Sequence, residues 1–328
     1  MRMIYSKVKI GCDPEFFIQN GGQVVGSESV LGGGLTGDRG TVIVDGVQAE
    51  INPQASTCRE ILIYNIHKCL QMVEGVLVGG NTANFQVSVD ISPNMFSTLS
   101  EDCRKFGCKP SFNLDPEVPQ TMQLNASEYM VRSAGGHFHL GGENQETFDV
   151  LRNIGLIIPT LDIVLGNTCV LLDRDKGNIE RRKHYGRAGE LRTPEYGIEY
   201  RTLSNFWLRS PVLASFVFGM ARHAVDMALN GQAKELLALV DYNDIRRAID
   251  KNDFDLARKN FELVKDAILG SVEVGNTGRS PLDSESIYGF EKLVNKTIDR
   301  AFDADVLGNW RRYNKDTMGA YDYLTKFI

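Results

Sequence analysis

Apolar and polar residues alternate at period two through much of the first two hundred positions, whereas helical spacing takes over afterwards. Residues 5–18 read as a strand, Gly21-Gly22 as a turn and residues 23–26 as the returning arm of a hairpin. Residues 41–44 and 47–52 predict a second hairpin around Asp45-Gly46, ended by Pro53. Between them, residues 31–40 hold five glycines but lack both the Gly-Lys-Ser/Thr ending of a phosphate loop and a full G-x-G-x-x-G. That stretch predicts a mobile loop, a candidate lid. A capping box, Thr57 to Glu60, opens a helix whose apolar face is Leu62, Ile66, Cys69, Leu70, Val73 and Leu77.

Residues 85–91 return as a strand, and the proline-broken stretch 92–126 predicts no long regular element. A strand carrying Gly136-His137-Phe138-His139-Leu140-Gly141 follows, then a largely helical run over 144–172, a charged connection over 173–183 and short strands at 190–193 and 197–203. From 210 onward only helices are expected, at 210–229, 233–240, 242–250, 253–269, 284–299 and 318–327. The order predicts one α+β domain over 1–328. Residues 1–209 would supply the sheet and its motifs, and 210–328 a helical part.

Composition narrows the function classes. With 328 residues, 42% of them hydrophobic, the chain can bury a sizeable core. A net charge of −6 argues against a dedicated nucleic-acid binder. The start, Met1-Arg2-Met3-Ile4-Tyr5-Ser6-Lys7-Val8, lacks the pattern of a signal peptide, so a cytoplasmic protein is expected, with its six cysteines reduced. Cys103 and Cys108 are the closest pair, but a zinc site would need two further soft ligands. The most apolar window, 153–172, contains Pro159, Asp162 and Asn167, which suits a buried helix better than a membrane span.

Four strands share a device: two polar, ligand-type residues two positions apart, hence on one face. They are Asp13 with Glu15, Gln48 with Glu50 (Asp45 at the preceding turn), His137 with His139, and Glu199 with Arg201. Taken singly, each could be a solvated strand end or a cross-strand ion pair. Sharing one sheet, they would gather carboxylates at a density that requires cations. An oxygen-rich set with imidazole suits Mg²⁺ or Mn²⁺, two or more ions, better than zinc. Arg181, Arg182, Arg187 and Arg192, with Lys183, lie between the third and fourth of these strands, and arginine forks match phosphate oxygens.

Together the motifs Gly11-x-Asp13-Pro14-Glu15-Phe16-Phe17, Asp45 through Pro53, Gly136 through Gly141, and Tyr185-Gly186-Arg187 through Glu199-Tyr200-Arg201 to Trp207 resemble the phage-type COOH-NH2 ligases. Those are carboxylate-amine ligases of the glutamine synthetase and glutamate-cysteine ligase superfamily. The resemblance covers about residues 8 to 210. It implies a curved, funnel-like antiparallel sheet with outer helices, and an ATP-dependent enzyme that forms an amide or peptide-like bond through an acyl-phosphate. ATP, a carboxylate, an amine and divalent cations would be its partners, with no membrane or nucleic acid; a homo-oligomer is compatible, and a phage-encoded copy would work in the host cytoplasm. By motif, Asp13, Glu15, Asp45, Glu50, His137 and Glu199 would hold metal, His139 would face the nucleotide phosphates, and Arg187, Arg192 and Arg201 would serve the transferred phosphoryl group. Asp13 stands where the superfamily more often has glutamate, and Gln48 where many members carry another carboxylate. The alternatives are a metal- and ATP-dependent phosphotransferase that forms no amide, and a non-catalytic binding or virion-associated protein on the same fold.

Overall fold

The structure is a computed structural model that describes residues 5–104, 111–118, 129–269, 287–303 and 305–312. The strands are β1 (Val8–Cys12), β2 (Glu15–Asn20), β3 (Gln23–Val25), β4 (Leu35–Gly37), β5 (Gly40–Asp45), β6 (Gln48–Pro53), β7 (Asn81–Asn84), β8 (Ser88–Asp90), β9 (Phe112–Asn113), β10 (Val131–Ser133), β11 (Phe138–Gly142), β12 (Glu190–Arg192) and β13 (Gly197–Tyr200). One antiparallel ladder runs β1-β11-β13-β12-β9, and a second runs β3-β2-β6-β5-β4 with β7 also on β2; β8 pairs β10.

The strand expected over 5–18 is therefore two strands in two ladders. Pro14 has no N–H to continue the pairing, and the chain turns a corner at Asp13-Pro14, leaving β11 for β6. The Pro14 carbonyl accepts from Ile51 N at 3.0 Å, and Glu15 N donates to Gly135 O at 2.9 Å. Ile10 and Ser56 exchange two backbone hydrogen bonds of 2.9 Å, tying β1 to the chain just beyond β6. The two ladders thus meet as one curled antiparallel half-barrel rather than one continuous sheet.

Other expectations change as well. The glycine-rich stretch is not an irregular loop throughout: it carries β4 and enters β5, a hairpin turned at Asp38-Arg39. Close packing accounts for three of its glycines, Gly34, Gly37 and Gly40: Gly40 sits at φ +147°, and a Cβ there would lie 2.5 Å from Asn52 O. The capping box does not form. Cys58 is the N-cap of helix Arg59–Val76 and makes no side-chain cap, while its own N–H donates to Ser56 Oγ at 3.0 Å. Within 85–91 only β8 is extended, and β7 before it went unforeseen because Asn81–Asn84 lacks apolar alternation. The stretch 92–126 contains short helices Pro93–Thr98 and Glu101–Arg104 and β9, and the connection 173–183 contains helix Gly177–Arg181. Cys108 and the helix expected over 318–327 lie outside the described residues.

Helix Arg59–Val76 buries Leu62, Ile63, Ile66, Cys69, Leu70 and Val73 against β5 and β6. The run 144–172 divides into Gln145–Arg152, Ile154–Leu161 and a π-helical turn Asp162–Asn167. Helix Pro211–Leu229 is long and apolar enough to cross a membrane by length and composition, but it is mostly buried, its aromatic side chain Phe218 packed edge-on to Phe138 and Trp207. Helices Gln232–Ala238, Tyr242–Asp250, Phe254–Ile268 and Ile287–Ile298 follow close to their expected bounds. One apolar cluster runs from Val8 to Trp310 and includes residues of both ladders and of the helices.

Candidate active site

The corner at Asp13 sets the site. β1 pairs β11 with Gly11 opposite His139, and β11 pairs β13 with His139 opposite Glu199, which in turn faces Arg192 on β12. These registers put imidazole, carboxylate and guanidinium side by side on one face. Asp13, just past the end of β1, reaches both histidines: Oδ1 lies 3.3 Å from His137 Nδ1 and Oδ2 lies 3.2 Å from His139 Nε2. His137 Nδ1 is also 3.8 Å from Glu199 Oε1. Glu199 accepts from Arg201 Nη1 at 2.6 Å and from Arg192 Nη1 at 3.1 and 3.2 Å. Tyr196 Oη meets His139 Nδ1 from the β12–β13 turn.

Around the corner, β2 and β6 place Glu15 directly opposite Glu50. Carboxylate oxygens of Glu15, Asp45 and Glu50 lie within 4.8 Å of one another, and so do ligand atoms of Asp13, His139 and Glu199. Glu15 is only 1% exposed and accepts from Gly135 N at 2.7 Å and from Gln48 Nε2 at 2.9 Å. Asn52 Nδ2 donates to Glu50 at 2.8 Å. Gln48 spends its amide on Glu15 and on the Ser133 carbonyl at 2.8 Å.

The electrostatics follow from burial and crowding. Burial, then the charges of Asp45 and Glu50, push Glu15 well above the usual carboxylate range. Burial, then Asp13 and Asp45, push Glu50 up to about 8. Asp45 is raised by burial and by Asp13, opposed by Arg201 and Arg192. Burial alone would raise Asp13, but attraction and hydrogen bonding from His137, then from His139, hold it far below the usual range. The two imidazoles move in opposite directions: at His139 burial is outweighed by the hydrogen bond to Asp13 and the pKa rises, whereas burial and Arg201 lower that of His137.

These donors fit divalent cations. Three buried or half-buried carboxylates packed within contact distance are resisted by their own charge and relieved by a cation. The buried Asp13 Oδ1 is met by the long 3.3 Å approach of His137 Nδ1 and keeps lone-pair capacity for a cation.

Of the residues predicted from sequence, Asp13, His137, His139, Glu199, Arg192 and Arg201 form one group, and Glu15, Asp45 and Glu50 the adjoining one. The compact ligand set around Asp13 and Glu199 contains His139, which the sequence assigned to phosphate. The other arginines are committed elsewhere. Arg181, fully buried, donates to the carbonyls of Arg201, Thr202 and Leu203. Arg182 donates to Asn252 at 2.6 Å, and Arg187 donates to the carbonyls of Arg182 and Lys183. The sequence assigns no role to Tyr196, Tyr185 or Glu190. Glu190 stands two positions before Arg192 in β12, the same spacing as Glu199 and Arg201, and its buried carboxylate accepts from Gly186 N at 2.6 Å and Arg187 N at 3.1 Å.

Residues 121–272 match the model of the family described as phage phiEco32-like COOH.NH2 ligase-type 2. The match contains His137, His139, Arg192, Glu199 and Arg201, stops short of the Asp13, Glu15, Asp45 and Glu50 motifs, and extends past residue 210 into the helices. No curated protein matches the chain.

Proposed function

We propose that this chain is an ATP-dependent carboxylate-amine ligase that forms an amide or peptide-like bond. The observation that carries the reading is Glu199, held between Arg192 and Arg201 on one side and facing the Asp13–histidine group on the other, so that cation-binding and anion-binding groups adjoin on one sheet face. The family match supports the ligase class. In the proposed reaction the substrate carboxylate oxygen attacks the γ-phosphorus, the bond to the ADP oxygen breaks, and an acyl-phosphate forms. The amine nitrogen then attacks the acyl carbon, loses a proton, and phosphate leaves.

A divalent cation, Mg²⁺ or Mn²⁺, held at these groups would supply positive charge against the phosphates. The chain's own part is positioning. Asp13, Glu15, Asp45, Glu50, His139 and Glu199 would hold the cations, with His137 packed behind Asp13. Arg192 and Arg201, already oriented by Glu199, would face the charge that develops on the transferred group. Arg187, bound to backbone carbonyls, would have to leave them to take part. The glutamine synthetase-type fold and a cytoplasmic setting belong to the same reading.

A screen of acids against amines with MgATP, read as ADP and phosphate release and by product mass, tests it. An amide product is expected. A phosphorylated acid without amide would establish the phosphotransferase alternative, and the absence of nucleotide binding by calorimetry would favour a non-catalytic protein.

A further inference from the structure

Tyr185 joins the two ligand groups, and nothing in the roles above requires it. Its ring is nearly buried, at 9% exposure, beneath the Asp13 group. The Arg181 guanidinium lies 4.5 Å from the ring centroid and that of Arg201 lies 5.8 Å from it. The His137 ring meets it edge-on, at 5.9 Å between centroids and 67° between planes. Two of the groups that contact Asp13 and Glu199 therefore rest on one aromatic face or edge. Cations over a ring are attracted by its quadrupole, more strongly when water is excluded.

The hydroxyl reaches the other way. Tyr185 Oη donates to the Ser133 carbonyl at 2.8 Å, and the same carbonyl accepts from Gln48 Nε2, which also donates to Glu15. Ser133 itself is fixed, its Oγ 2.7 Å from Ser88 Oγ. One side chain thus sets the direction of Arg201 and His137 by its ring and the position of the Gln48–Glu15 pair by its hydroxyl.

We propose that Tyr185 is a positioning residue that holds the Asp13–His139–Glu199 group and the Glu15–Asp45–Glu50 group in register with each other, the ring acting on the first and the hydroxyl on the second. The proposal rests on the reading of both groups as cation sites. Outer partners of metal ligands typically account for about 10–100-fold in affinity.

The test is Mn²⁺ titration, followed by water-proton relaxation, on the full chain and on Tyr185→Phe and Tyr185→Leu, each repeated with Glu50→Gln so that the Asp13 group is read alone. Phe keeps the ring and removes the hydroxyl. In the Glu50→Gln background Tyr185→Phe should bind Mn²⁺ as tightly as the parent, while Tyr185→Leu should bind about tenfold more weakly. With Glu50 intact, Tyr185→Phe alone should lose affinity at the second group. Equal affinities in Tyr185→Phe and the wild type in both backgrounds would overturn the proposal, as would equal losses in Phe and Leu variants. Tyr185→Phe carries the test even if the Leu variant does not fold. Failure of the wild type itself to bind Mn²⁺ would instead remove the cation-site reading.

Discussion

Glu15 and Glu50 face each other as direct partners across the β2–β6 pair, with Asp45 completing a knot of carboxylates. Like charges opposite one another on a sheet oppose folding, and here both groups are pushed up by burial and by their neighbours. Removing one charge should therefore stabilise the cation-free protein. Glu50→Gln is expected to raise the melting temperature in chelator at pH 8 by a few degrees, for a gain on the order of 1 kcal/mol. Added Mn²⁺ should stabilise the wild type and stabilise the variant much less. Calorimetric scans with and without Mn²⁺ check this; a variant that melts lower than wild type in chelator would count against cation relief as the role of the cluster.

Glu199 carries a different expectation, because it holds two arginines and adjoins two histidines. Glu199→Ala removes the carboxylate that accepts from Arg201 Nη1 at 2.6 Å, a guanidinium only 1% exposed. ADP release with a productive acid and amine should fall by at least about 100-fold, the cost of one lost electrostatic contact in a preorganised site. Glu199→Gln keeps the shape and one acceptor, so its fold should persist while turnover is lost. Wild-type rates in either variant would remove Glu199 from the chemistry.

The two histidines separate by geometry. The sequence treats His137 as the metal ligand and His139 as the phosphate contact, but the compact ligand set contains His139, whose Nε2 lies 3.2 Å from Asp13. His137 is 2% exposed, and its Nε2 lies against the Cα of Gly135, a position where any Cβ would collide. His139→Ala should weaken Mn²⁺ binding about tenfold or more with little change in melting temperature. His137→Ala, which opens a buried cavity beneath Asp13, should cost stability first. Isothermal titration and melting curves on both variants decide the order, and a larger affinity loss in His137→Ala restores the assignment made from the motif.

How these residues come together was partly legible in the sequence. Period-two pairing identified the carboxylate and histidine faces, because side-chain alternation is a local property of a strand. The division into two ladders was not legible, since a single Pro14 can end a strand, bulge it or turn it, and only the tertiary partners of β1 and β2 decide. The long helices of the second half kept nearly their predicted bounds because their apolar faces and caps are local too, as with Asp253, whose carboxylate accepts from Leu256 N at 3.0 Å. Where Arg181 and Arg187 donate was not legible, for the opposite reason: charge in a sequence does not say whether a guanidinium meets phosphate or a ring of backbone carbonyls.

Gly186 shows how tightly that carbonyl clamp is built. It sits at φ +81°, and a Cβ there would overlap the Arg181 guanidinium that caps the end of β13. Gly186→Ala should destabilise by at least about 1–3 kcal/mol, through the positive φ and through displacement of Arg181. Urea unfolding measures it. Because the carbonyl of Arg201 is one of those clamped, ligase turnover should drop along with stability; an alanine variant as stable as the wild type would show that Arg181 has somewhere else to go.

Asp162 gives the pH dependence of the fold. It is fully buried in the π-helical turn, where it accepts from Tyr200 Oη at 2.7 Å and from Tyr242 Oη at 2.6 Å. Burial is the dominant cause that raises its pKa to about 7, against the lowering effect of the two tyrosines. The folded state therefore holds this proton more tightly than the unfolded chain, whose aspartate titrates near ~3.9. The stability it contributes is complete below the unfolded pKa and is lost as pH rises through about 7. Asp162→Asn cannot ionise but gives up one acceptor, so it should be less stable than wild type at pH 4.5. As pH rises to 8 the wild type should lose ground to the variant by on the order of 2–4 kcal/mol. Chemical denaturation of both proteins across that range provides the comparison: a constant difference would mean that Asp162 is ionised throughout, held by its tyrosines despite burial, and that the link from the helices to β13 is an ionic one.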